Sequence, residues 1–191
     1  ILFLMTNYKI QKPFLKWVGG KTQLLNNIER YIPKEFNDYH EIFIGGGSVL
    51  FFMLHLKQNN TIKCNQFYAY DINKTLINTY NFIKDKPNEL FNTLDTYVKE
   101  YQNITTFKGR RIIQSKEQAL ESKEAYYYYL RNLYNQTDNL LIKSALFLFL
   151  NKTCFRGLYR EGPNGFNVPF GHYKTSSFIT LEDLLKISAL I

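Results

Sequence analysis

Apolar positions along the chain change period several times, and each change predicts an element. Leu24, Leu25 and Ile28 recur at helical spacing within residues 22–31, and Pro33 limits the helix they predict. Residues 39–44 have the short apolar pattern of a strand, which runs into Gly45-Gly46-Gly47-Ser48, and residues 49–56 are apolar enough for a buried helix. A second strand is predicted over 66–70, ending on Asp71, with a helix over about 74–82. Strand, glycine turn, helix and strand make a βαβ unit, which places the chain in the α/β class.

Beyond Pro87 the alternation lapses. Residues 87–151 are mostly helical in pattern, with Tyr126 to Tyr129 and the block at 140–150 carrying the apolar content. Between Arg156 and Lys174 lie four of the ten glycines and two of the five prolines, which predicts a structured loop or hairpin. Thr180-Leu181-Glu182-Asp183 then matches a capping box for a last helix through Leu184, Leu185 and Ile187, cut in mid-pattern at Ile191. No internal repeat is present.

Composition narrows the class. At 191 residues, 45% hydrophobic and 17% aromatic, the chain can bury one core and support a lobe beside it. Lys and Arg number 24 against 16 Asp and Glu, a net charge of +8 that would concentrate polyanions such as nucleic acid, although a codon bias toward Lys, Asn, Ile and Tyr accounts for it equally well. Cys64 and Cys154, ninety positions apart, provide neither a disulfide framework nor a zinc site and suit a reducing cytoplasm, or a host cytoplasm or nucleus for a viral protein. The longest apolar run, Ala145 to Leu150, is far short of the roughly 20 residues of a membrane span. Ile1 to Leu4 precede Met5 and are too short for a signal-peptide core, so Met5 reads as the biological start.

Candidate chemistry gathers at three places. A strand ending in three glycines and opening a helix lets a ligand approach the backbone, because no Cβ intervenes and the helix-start N–H groups can bond it. Phe43 to Ser48 supply that turn without the spacing of a dinucleotide fingerprint or the Gly-Lys-Ser/Thr of a P-loop, and a plain glycine turn is the alternative. Asp71, at the end of the second strand, is placed to accept ribose hydroxyls; its alternative role is a helix N-cap. Glu41 either engages a cofactor ammonium or is a solvated strand end. Lys16-Trp17-Val18-Gly19-Gly20-Lys21 joins an aromatic face to two cations, suited to a sulfonium and a carboxylate, or is a core Trp beside a helix cap. In the third place, Arg156 and Arg160 alternate with Phe155 and Tyr159, giving guanidiniums for phosphate or a guanine edge and rings for stacking. Lys152, His172, Tyr173 and Lys174 extend that basic surface, while Lys108, Arg110 and Arg111 read as solvated, and His40 and His55 as structural.

These segments resemble the Dam-type DNA adenine methyltransferases. The resemblance rests on Lys16 to Lys21, Phe43 to Ser48, Tyr70-Asp71-Ile72-Asn73, and the block from Asn151 to Arg160 followed by Gly165 to Gly171, four motifs in the family's order over nearly the whole chain. Ile42 stands where the family commonly has Pro, and the spacing from Glu161 to Gly165 also departs from it. The resemblance implies an incomplete Rossmann-like S-adenosylmethionine-dependent methyltransferase fold with an inserted, mainly helical target-recognition lobe. It implies a cofactor-binding part over 1–86, the lobe over 87–178 and a returning segment over 179–191. It implies S-adenosyl-L-methionine as the cofactor, met by Trp17, Lys21, Gly45, Gly47 and Asp71, with no metal. It likewise implies double-stranded DNA as the partner, met by Lys16, Lys152, Phe155, Arg156, Tyr159, Arg160 and Tyr173.

One family motif is missing. Methyl transfer to the amine of adenine needs a flipped base and an oriented acceptor, which in this family is an Asp-Pro-Pro-Tyr tetrapeptide. None of the six aspartates here is followed by Pro, and no two prolines are adjacent. The expectation is a truncated chain inactive by itself; the alternative is the non-catalytic, S-adenosylmethionine- and DNA-binding half of a split enzyme whose catalytic strands lie in a second chain.

Overall fold

A computed structural model describes residues 10–191, so the reading of Met5 as the start lies outside the described residues. The described residues divide into two compact units: 10–13 with Gly20–Tyr70, and Phe14–Gly19 with Asp71–Ile191.

In the first unit a 3-10 turn, Thr22–Leu24, leads into α1 (Leu25–Glu29), followed by β1 (Asp38–Glu41), α2 (Ser48–Gln58) and β2 (Gln66–Ala69). β1 and β2 pair in parallel from Asp38 opposite Gln66 to Glu41 opposite Ala69, joined by α2, as the βαβ pattern requires. β1 ends sooner than the apolar run suggests. Ile42 and Phe43 swing out to 63% and 82% exposure as the chain enters the glycine turn, and the contact between the strand ends survives as two bonds, Tyr70 N–H to Glu41 O (2.8 Å) and Ile44 N–H to Tyr70 O (2.9 Å). Strand alternation sends Tyr39 and Phe67 toward a core of Leu25, Phe52, Met53, Leu56 and Ile62. On the opposite face His40 stacks on Tyr68 at 4.8 Å and on Tyr70 at 6.0 Å, the structural role expected of this histidine.

The second unit is helical. It contains α3 (Lys74–Asp85), α4 (Pro87–Asn103), α5 (Lys116–Leu120), α6 (Lys123–Gln136), α7 (Leu140–Thr153) and α8 (Leu181–Leu190), with a short hairpin of β3 (Glu161–Gly162) and β4 (Gly165–Phe166). α7 is its centre. A helix apolar on all sides must be surrounded, and α7 packs against α3, α4 and α6 with every residue from Ser144 to Asn151 buried. Asn139 caps it, accepting from the N–H groups of Leu141 and Ile142. At α8 the N-cap half of the expected capping box is formed, Thr180 Oγ1 accepting from Asp183 N–H at 3.1 Å, while the Asp183 carboxylate accepts from the Thr180 hydroxyl at 2.9 Å. Among the described residues no helix is long and apolar enough to cross a membrane.

Candidate functional site

The glycine turn of the first unit is a backbone device. Gly45 (φ 47°) and Gly47 (φ 79°) occupy the left-handed region, where a Cβ would collide with the following carbonyl, and Gly47 stands at the N-cap of α2. No side chain caps α2; the hydroxyl of Ser48, its first residue, instead accepts the Lys21 N–H at 3.0 Å. The three glycines are buried, so the turn lies at depth. Glu41, at the end of β1, receives the Tyr39 hydroxyl as a hydrogen bond. Burial raises its carboxyl above the usual range, against the lowering effect of that hydrogen bond. Glu41 therefore has a definite structural partner within the strand.

Asp71 follows directly on Tyr70 and begins the long stretch of the second unit. Its Oδ1 accepts the Asn73 N–H at 3.0 Å, fixing the carboxylate in a tight turn. Asn73, two residues on, is the N-cap of α3 and accepts from Leu76 N–H at 2.9 Å. The capping role weighed for Asp71 thus belongs to its neighbour.

The other predicted residues of the second unit meet around the end of α7. Trp17 stacks on Tyr159, ring centroids 5.8 Å apart, and tilts against Phe147 at 6.2 Å. Tyr159 also donates to the Glu161 carboxylate. Lys16 lays its Nζ 4.5 Å over the ring of Tyr173, whose hydroxyl accepts the Arg156 N–H at 2.7 Å. Arg156 has φ 56°, a left-handed conformation uncommon for a residue with a side chain, and its guanidinium lies over the exposed ring of Phe155 at 5.2 Å. Arg160 turns along the hairpin, its Nε donating to Asn167 Oδ1 at 2.6 Å. Lys152 is half-buried and its ammonium is held below the usual range, first by burial and then by the charge of Lys16. Lys152 and Lys16 are thus close enough for their charges to oppose one another.

Arg110 and Arg111 are exposed, as expected, and each also has an acidic partner: Arg110 pairs with Glu121 at 2.9 Å and Arg111 with the buried Glu124 at 3.0 Å. The Cys154 thiol is pushed up to about 12 by burial, which makes it an inert core group. Among the described residues no three His, Cys, Asp or Glu side chains are grouped to hold a metal ion.

Sequence reasoning missed the residues that hold this loop region in shape. Asn135 on α6 exchanges two hydrogen bonds with the backbone of Phe166, Nδ2 to O at 3.0 Å and N to Oδ1 at 2.8 Å. Asn151 on α7 does the same with Lys16, N to Oδ1 at 2.9 Å and Nδ2 to O at 2.8 Å. Both amides satisfy a backbone N–H and C=O together, as a partner strand would: Lys16 lies outside any strand, and at Phe166 the amide adds to the pairing with β3. A helical Asn has no distinctive spacing, so only its position on a buried face marks it.

Residues 17–191 match the profile of the D12 class N6 adenine-specific DNA methyltransferases. The chain is 34% identical over 189 residues to the Type II methyltransferase M.MjaIII of Methanocaldococcus jannaschii, covering 94% of this chain and 59% of that protein. It is 35% identical over 171 residues to the DNA adenine methylase of Vibrio cholerae serotype O1, covering 89% of this chain and 51% of that protein. It is 30% identical over 175 residues to the Type II methyltransferase M.CviBI of Paramecium bursaria Chlorella virus NC1A, covering 91% and 54%. The chain spans about half the length of the curated relatives it matches.

Proposed function

The chain belongs to the D12 class of N6 adenine-specific DNA methyltransferases, and on that premise we propose that it is the cofactor- and DNA-binding part of an adenine methyltransferase with an incomplete Rossmann-like fold. The observation that carries the reading is the left-handed glycine turn, Gly45 and Gly47, opening a helix that no side chain caps. That turn suits S-adenosylmethionine because a ligand can reach the backbone where no Cβ stands, and the positive end of the helix favours a polar ligand there. When bound, S-adenosylmethionine supplies the methyl group. Asp71 accepts its ribose hydroxyls with a carboxylate already oriented by Asn73, Lys21 meets its carboxylate, and Trp17 offers an aromatic face to its charged end. Residues 87–178 act as the target-recognition lobe on double-stranded DNA. Lys16 and Lys152 take phosphate, which relieves their mutual repulsion, while Phe155, Arg156, Tyr159, Arg160 and Tyr173 serve the recognition surface.

The acceptor for the adenine amine lies outside these residues, since no Asp-Pro-Pro-Tyr occurs among them. Among the described residues β1 pairs with β2 alone, whereas parallel sheets ordinarily have more strands and both faces covered. Further strands pairing beside β1 would complete the sheet and bring the acceptor. A second reading, favoured by the same bare edge, has those strands in a separate chain of a split enzyme.

Calorimetry tests the cofactor assignment. S-adenosylmethionine should bind the chain, and Asp71→Ala should weaken binding by about 1.5 to 3 kcal/mol, the usual cost of losing hydrogen bonds to a charged group. Unchanged affinity would remove Asp71 from the site.

A further inference from the structure

Asn151 is 4% exposed and carries three hydrogen bonds on one carboxamide. Two go to the backbone of Lys16; in the third, Nδ2 donates to Gly157 O at 3.2 Å. Lys16 precedes Trp17, and Gly157 follows Arg156. One buried amide thus fixes the neighbour of a proposed cofactor residue and the neighbour of a proposed DNA residue. The same two segments meet again outside it, where Lys16 lies over the Tyr173 ring and Tyr173 receives the Arg156 N–H. The circuit Asn151, Lys16, Tyr173, Arg156, Gly157 is closed. Its tightness is visible at Gly157 (φ 65°), where an added Cβ would stand 2.5 Å from Lys16 Cβ and 3.1 Å from Asn151 O. No other residue substitutes well at position 151: Asp lacks the donors, Leu lacks both functions, and Gln carries the amide one methylene too far.

We propose that Asn151 is a positioning residue that couples the Trp17 segment to the Arg156 loop, so that S-adenosylmethionine and DNA each strengthen the binding of the other. The proposal rests on the functional reading above. Arg156 holds an unfavourable backbone conformation that the circuit maintains, and an occupied Trp17 face and a DNA-bound Arg156 both favour the arrangement in which the circuit is closed. Binding free energies are reciprocal, so the factor must be the same in both directions.

The test measures S-adenosylmethionine affinity by calorimetry with and without a mixed-sequence DNA duplex, and duplex affinity by fluorescence anisotropy with and without S-adenosylmethionine. The unaltered chain should show mutual tightening by about five-fold or more. Asn151→Asp, which removes both donated bonds, should bring the factor to about one. Gly157→Ala, which drives a methyl group into Lys16 from the loop side, should do the same and decides the matter if Asn151→Asp fails to fold by circular dichroism. Ser144→Ala, on the same buried helix, removes a hydroxyl without a hydrogen-bond partner and should leave the factor intact. Binding of both ligands with no mutual effect, or a factor that survives in a folded Asn151→Asp or Gly157→Ala chain, overturns the proposal while leaving the functional reading in place. Failure of the unaltered chain to bind either ligand overturns that reading and this inference with it.

Discussion

The glycine turn of the first unit and the loop region over 154–174 in the second both place chain in shapes that neither helix nor sheet provides, and they do so by different means. At the turn, the residue types themselves permit the conformation: Gly45 and Gly47 reach positive φ without a Cβ penalty, and the strand before and the helix after fix the ends. In the loop region, β3 and β4 are two residues each, too short to be stable alone, and the shape is imposed from α6 and α7. Asn135 holds Phe166, Asn151 holds Lys16 and Gly157, and the Tyr127 hydroxyl with Arg131 Nη1 holds Val168 O. The first device depends on conformational freedom, the second on buried hydrogen bonds. A damaged turn should lose its own conformation, whereas a damaged anchor should strand polar groups in the core.

Two substitutions sharpen that contrast. The larger effect belongs to Asn135→Ala, which leaves both the N–H and the C=O of Phe166 without their side-chain partner. The expected loss is about 3 kcal/mol in urea unfolding, in the range for unsatisfied polar groups at a buried site. A loss below about 0.5 kcal/mol would mean that the hairpin keeps its register without the anchor. Gly47→Val should cost about 2 kcal/mol, because a β-branched residue must adopt the left-handed conformation. Its effect on S-adenosylmethionine affinity should exceed that of Asn135→Ala, and the reverse order would dissolve the distinction between the two regions.

The same contrast explains what could be read from sequence. Gly45 to Gly47, the two strands and the Thr180 cap are legible because each depends on local residue type and period, and the structure forms each of them near its expected bounds. Their edges moved for local reasons. β1 ends at Glu41 because Ile42 and Phe43 leave the ladder, and the cap of α3 falls on Asn73 rather than Asp71. Asn135 and Asn151 were not legible as anchors, since their importance comes from contacts 31 and 135 positions away in sequence. The block around Asn151 is marked in sequence by its arginines and aromatics, whereas the buried amide that holds Lys16 and Gly157 carries no local signal. The exposure of Arg110 and Arg111 was legible, but their pairing was not, because Glu121 and Glu124 face them only once α5 and α6 have packed.

The functional account is tested most directly by transfer of a tritiated methyl group from S-adenosylmethionine to mixed-sequence DNA, followed by identification of the methylated base. The assay compares the purified chain alone with the chain fused to, or mixed with, a family segment carrying the Asp-Pro-Pro-Tyr strand. A site without an oriented acceptor forfeits a positioning effect worth about 7 to 11 kcal/mol, several powers of ten in rate. The account predicts no transfer by the chain alone and N6-methyladenine once the strand is supplied. Robust adenine methylation by the chain alone, or none after the strand is supplied to a chain that binds both ligands, would contradict it.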